Sequence, residues 1–130
     1  MKTGIVVLGH GSQARVGEAN LVLDSIAALV KDLVKEQLDL DLVEPAFMNR
    51  KSGRQGLGEA IDKVVGAGAG KVIVVPVFLT NGLHLQEDIP VELAQAREKY
   101  RGEVEIRFAS HLGADRRIVE IIVDRIKEAG

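Results

Sequence analysis

Residues 71–90, KVIVVPVFLTNGLHLQEDIP, decide how this chain is read. Lys71 to Val75 is a near-continuous β-branched run, the pattern of a strand buried on both faces of a parallel sheet. Pro76 ends it. An apolar Phe78-Leu79, a polar turn Thr80-Asn81-Gly82 and then His84, Glu87, Asp88 and Pro90 follow. A buried strand running into a polar, histidine-bearing loop is where open α/β sheets keep their sites, beyond the carboxyl ends of the strands.

Working outward, the same alternation recurs. Residues 5–8 form a short apolar run followed by Gly9-His10-Gly11-Ser12, in which two glycines let the backbone turn tightly around one imidazole. Residues 16–38 have helical periodicity, with Leu23, Ile26, Val30, Leu33 and Val34 on one side. Residues 40–47 predict a second strand, and Glu44-Pro45 within it points to an edge or irregular position. The loop 49–58, NRKSGRQGLG, is basic and glycine-rich. Residues 59–67 predict a second helix. The glycines at 66, 68 and 70 end it, and they precede a strand rather than follow one, so they are not a dinucleotide fingerprint.

Residues 89–100 predict a third helix with Pro90 in its first turn. Residues 104–108 alternate apolar and charged side chains, as a half-exposed edge strand does. Residues 116–129 predict a last helix capped by Asp115. Its apolar residues spread beyond a single stripe, which suits burial against a second subunit. The order β-α-β-α-β-α-β-α implies a single α/β domain over residues 1–130. Its architecture is a three-layer sandwich, a four-stranded parallel sheet with helices on both faces.

Composition narrows the function. The chain has 130 residues, 46% hydrophobic but only 3% aromatic, so its core is aliphatic. A net charge of −2 and the scarcity of aromatics leave no footprint for nucleic acid. The absence of cysteine excludes thiolate metal sites, disulfides and cysteine nucleophiles. No apolar run approaches a membrane span, and no separate leader precedes the first strand, so a cytoplasmic protein is expected.

The three histidines, His10, His84 and His111, each follow a predicted strand and so belong to one edge of a parallel sheet. Imidazole is the commonest protein ligand for first-row divalent metals. Glu87 stands three residues after His84, where it serves as a further ligand or a proton acceptor, or else caps the third helix together with Asp88. Taken singly, His111 reads as a surface loop residue and Ser12 as a turn residue. Without a G-x-S-x-G elbow a hydrolase triad has little support. Arg15, Arg50, Lys51, Arg54, Arg116 and Arg117 gather at the same edge and would suit an acidic organic ligand, although each alone reads as solvated surface.

Three stretches together resemble the small CbiX family of class II chelatases. These are Gly9-His10-Gly11-Ser12; Pro76 to His84 with Asp88-Ile89-Pro90; and Leu112-Gly113-Ala114-Asp115-Arg116-Arg117-Ile118. The resemblance extends over nearly the whole chain and implies a chelatase-like, flavodoxin-like fold. It implies a homodimeric enzyme, ATP-independent, that places Co²⁺, or in related members Ni²⁺ or Fe²⁺, into sirohydrochlorin. The metal is then a substrate, and no cofactor is tightly bound. His10 and His84 would be metal ligands, with His10 also the proton acceptor. Leu79, Thr80, Asn81, Gly82, Leu83 and His84 would line the tetrapyrrole site. After the second strand, where many relatives carry an acidic residue and a proline, this chain has Asn49-Arg50-Lys51-Ser52-Gly53, which makes Arg50 and Ser52 the candidates for substrate contact there. His111 is not a general feature of the family. The other readings are a metal or tetrapyrrole carrier without turnover, and a flavodoxin-like domain binding a phosphorylated ligand.

Overall fold

The structure, a computed structural model, describes residues 2–80, 82 and 87–130. Its elements are β1 (Lys2–Gly9), α1 (Glu18–Leu38), β2 (Leu42–Phe47), α2 (Leu57–Gly66), β3 (Ala69–Pro76), α3 (Ile89–Lys99), β4 (Glu105–Phe108) and α4 (Arg116–Ala129). Short 3₁₀ turns at Ala14–Val16 and Arg50–Ser52 shape the loops after β1 and β2. All strand pairs are parallel, in the order β2-β1-β3-β4.

The strand order explains the burial pattern. β1 and β3 are central. β1 is buried from Gly4 to Gly9 on both faces. β2 and β4 are edges, as Pro45 and the charged alternation of residues 103–107 predict. An edge tolerates a residue without an N–H and a strand that is half wet.

Right-handed crossovers place α2 and α3 on one face and α1 on the other. Two cores result. On one side Val6, Leu8, Val72, Val74 and Ile106 pack with Leu57, Ile61 and Val64 of α2 and Ile89, Leu93 and Ala96 of α3. On the other, Ile5, Val7, Val43 and Phe47 pack with Leu23 and Ala27 of α1. The three layers read from the sequence are present.

Two elements differ from their expected form. The glycine run is shared between a turn at Ala67-Gly68 and the start of β3, because Ala69 already pairs with Lys2 of β1. α4 is capped by Asp115, whose side chain accepts from the Arg117 N–H at 2.9 Å, yet none of the helix's residues is buried. The expected breadth of its apolar surface is therefore real, and its own chain leaves that surface uncovered. No described helix is long and apolar enough to cross a membrane.

Candidate active site

All four strands end at the same edge, and backbone hydrogen bonds lace their loops together. Val77 N–H donates to Leu8 O at 2.7 Å, Met48 N–H to Gly9 O at 2.9 Å and Asn49 N–H to His10 O at 2.8 Å. Across the edge, Leu112 N–H donates to Phe78 O at 2.8 Å and Gly113 N–H to Leu79 O at 3.0 Å. The loops after β1, β2, β3 and β4 thus form one continuous rim. Such bonds satisfy the backbone groups that a strand leaves behind when it ends.

His10 stands on this rim, exposed, with its backbone held from the β2 side and its ring against Phe78, centroids 4.4 Å apart and planes at 57°. Its two glycine neighbours have separate causes. A Cβ on Gly9 would lie 2.7 Å from a Leu23 methyl, so the glycine lets α1 close on the strand end. Gly11 has φ +72°, and a Cβ there would come within 2.9 Å of both Asn20 Oδ1 and the Phe47 ring.

Asn20, in the first turn of α1, anchors the loop from below. It is 2% exposed; its Oδ1 accepts from Ser12 N–H at 2.8 Å and its Nδ2 donates to Ser12 O at 3.1 Å. The Ser12 hydroxyl donates to Val16 O, a turn contact in place of a nucleophile's setting. Asn20 was not among the residues singled out from the sequence. The signal was available: it is the polar member of the core-facing line Asn20, Leu23, Ala27.

The loop after β2 builds the next part of the rim. Asn49 Oδ1 accepts from Lys51 N–H at 2.9 Å and starts the turn. Ser52 is 2% exposed and its hydroxyl accepts from Arg54 N–H at 3.1 Å, so it shapes the turn and its side chain does not face solvent. Arg50 is exposed and is the residue of this pair that a ligand can reach. It borders a groove of about 280 Å³ with Met48, Asp88, Val91, Glu92 and Gln95. In that groove burial raises the Glu92 carboxyl above its ordinary range, the Arg50 charge opposes this and Asp88 adds to it.

The basic residues divide into two groups. Arg54 is held by Asp24 at 2.6 Å and lies over the Phe47 ring. Arg117 is held by Asp115 at 2.8 Å, and Arg116 reaches Glu120 at 3.5 Å. Among the described residues, Arg15, Arg50 and Lys51 have no ion-pair partner within salt-bridge distance and remain available to an acidic ligand.

Leu79, Thr80 and Gly82 are exposed just beyond β3. Glu87 and Asp88 form the turn leading into α3; both are exposed, and the Asp88 side chain makes no capping bond. His111 is half-buried in the loop after β4, next to the residues bonded to Phe78 and Leu79. Asn81, Leu83 and His84 lie outside the described residues. Among the described residues no group of three or more His, Asp or Glu side chains is gathered as a metal site.

The CbiX family profile matches residues 4–129. A sirohydrochlorin cobaltochelatase from Methanopyrus kandleri is 36% identical, covering 96% of this chain and 95% of that protein. Among solved structures, a CbiX protein from Marinobacter aquaeolei VT8 covers 98% of this chain and 96% of its own, with 26% identity and a TM-score of 0.66. The sirohydrochlorin chelatase SirB from Bacillus subtilis subspecies spizizenii, in complex with cobalt, superposes with a TM-score of 0.77 at 26% identity. There 98% of this chain covers 51% of SirB, so the chain spans about half of that protein. With nearly its whole length matched and its strand-end loops in the order just described, the chain belongs to the CbiX family.

Proposed function

We propose that this chain is a sirohydrochlorin chelatase that inserts a divalent metal, Co²⁺ first, with Ni²⁺ and Fe²⁺ as further candidates, into the tetrapyrrole. The observation that carries the proposal is the setting of His10. It is an exposed imidazole on a loop clamped from two neighbouring strand ends, in a chain matched to the CbiX family over residues 4–129. The cobaltochelatase name of the Methanopyrus relative favours Co²⁺.

The reaction requires a metal ion to shed water while two pyrrole N–H protons leave. In this proposal His10 and His84 hold the arriving metal, and His10 accepts a proton near neutral pH. Residues 79–84 line the face of the macrocycle, and the exposed Arg50 meets one of its carboxylates, to which a guanidinium is well matched. Glu87 and His111 are secondary acid–base candidates on the same rim. The rigid edge makes the encounter of metal and ring local. No cofactor resides in the protein, the enzyme works in the cytoplasm, and two copies form the working unit.

The test is an anaerobic absorbance assay with sirohydrochlorin and each metal in turn. Insertion should exceed the protein-free rate, and His10→Ala should lower turnover by about 100-fold or more. Tight binding of metal or tetrapyrrole without turnover would make the chain a carrier instead.

A further inference from the structure

Among the described residues, α4 buries none of its side chains against its own chain. Val119, Ile121, Ile122, Val123 and Ile126 stand between 41 and 64% exposed. Val119, Ile122, Ile126 and Ala129 follow one another at spacings of three, four and three, the seam of a helix that packs against another. An isolated helix of fourteen residues is marginal in water, and monomers rarely expose apolar patches beyond a few hundred Å².

The same chain has a vacant seat of matching size. The four strands span about 14 Å between outer axes, and a helix is about 10 Å wide. α1 alone therefore cannot cover its face of the sheet. Among the described residues no element lies over the β3 side of that face, where Ile73, Val75 and Val77 are only half-buried. Beside them α1 carries a second stripe, separate from its core line: Ala19, Val22, Ile26, Leu29 and Leu33, at spacings of three and four. Val22, Leu29 and Leu33 on it are exposed. Part of this surface is a groove of about 420 Å³ lined by Ala19, Val22, Leu23, Ile26 and Val77, with His10 at its mouth. The stripe runs for roughly 21 Å, the length of a fourteen-residue helix.

α4 does not reach this seat in its own chain. Its approach is fixed by the hydrogen bonds of Ala109 to Val74, Leu112 to Phe78 and Gly113 to Leu79. We propose that two copies exchange α4, each laying this helix into the groove between α1 and β3 of the other. The charges agree. A helix seated like α1, antiparallel to the strands, brings its Arg116-Arg117 end beside Glu18 and its Glu128 end beside Lys31. The interface is isologous, so both grooves fill at once. Because each groove opens at His10, the start of the exchanged helix becomes part of the rim around the partner's imidazole. The inference rests on the homodimer reading and specifies its contact. The half-length relation to SirB accords with two copies making one working unit.

The test uses the cysteine-free background. Val22→Cys and Ile122→Cys are introduced in separately tagged chains, which are co-expressed and oxidised, with Ile26→Cys and Ile126→Cys, one turn further along in the same register, as a second pair. Disulfide geometry demands Cα atoms within about 7 Å. The expected result is a mixed, doubly tagged covalent dimer, at least tenfold more abundant than either same-variant dimer. Ile122→Glu should sediment as a monomer with its far-ultraviolet dichroism largely kept, since α4 adds nothing to its own chain's core. A disulfide within one doubly substituted chain, or none from either pair, overturns the exchange. If the protein still sediments as a dimer in that case, the homodimer stands on another face. A monomer at tens of micromolar removes both.

Discussion

Asn20 offers an amide oxygen and two amide hydrogens in a place that water does not reach, and it spends them on the backbone of Ser12. Truncating it leaves the Ser12 N–H and carbonyl without those partners, at a cost of about 2–3 kcal/mol in stability. The same change frees the loop that carries His10. Asn20→Ala should therefore lose activity at temperatures where circular dichroism still reports a folded chain. Equal loss of fold and activity would reduce Asn20 to a stability residue.

Glu92 gives a pH test in the neighbouring groove. Its carboxyl is raised from an ordinary value of 4.5, chiefly by burial. The folded chain thus holds this proton more tightly than the unfolded chain does, and the stability so gained is lost as pH rises from the ordinary glutamate range through the raised value. Glu92→Gln has no proton to lose. At pH 7 its Tm should exceed the parent's by about 2 °C, and at pH 4 the two melting curves should coincide.

At the scale of elements, α2 and α4 make a controlled comparison. Both are amphipathic, yet Ile61 on α2 has no exposure and Ile122 on α4 is half exposed. Ile61→Ala should cost about 2–4 kcal/mol in urea unfolding, through lost burial and the cavity left behind. Ile122→Ala, measured at nanomolar protein where subunits separate, should cost less than about 0.5 kcal/mol. A second contrast lies between α2 and α3. Tyr100 and Lys99 both bind the Asp62 carboxylate and hold it below its usual range, but on the surface, where such pairs contribute little. The packing of Leu57, Ile61, Leu93 and Ala96 is what fixes these helices.

For the whole molecule, among the described residues two helices pack on one face of the sheet and one on the other. That asymmetry is a statement about association. If a second copy completes the thinner face, folding and assembly are linked, and Tm should rise with protein concentration over the micromolar range. Scanning calorimetry at 2 and 100 μM checks this; superimposable transitions would mean that the single chain is the stable unit.

Much of this was legible from residue order alone. β-branched runs set the strands, three-to-four spacing set the helices, and the alternation of the two forced a parallel sheet, because crossovers have one hand. That in turn sent the loops after the strands, with His10 and His111 among the described residues, to one edge. These are local or topological consequences, and the sequence carries them directly. What it did not carry was which polar groups are spent on structure. Ser52 and Arg54 looked alike as rim residues until the turn buried one hydroxyl and Asp24 took up one guanidinium. Asn20 looked like any helix polar residue until Ser12 was placed above it. The departure of α4 from the sheet was likewise invisible, since an amphipathic pattern says that a face must be buried and leaves open against what. The sequence determined what has to be covered, and only the tertiary arrangement decided what covers it, because contact partners are fixed by distances between segments far apart in the chain.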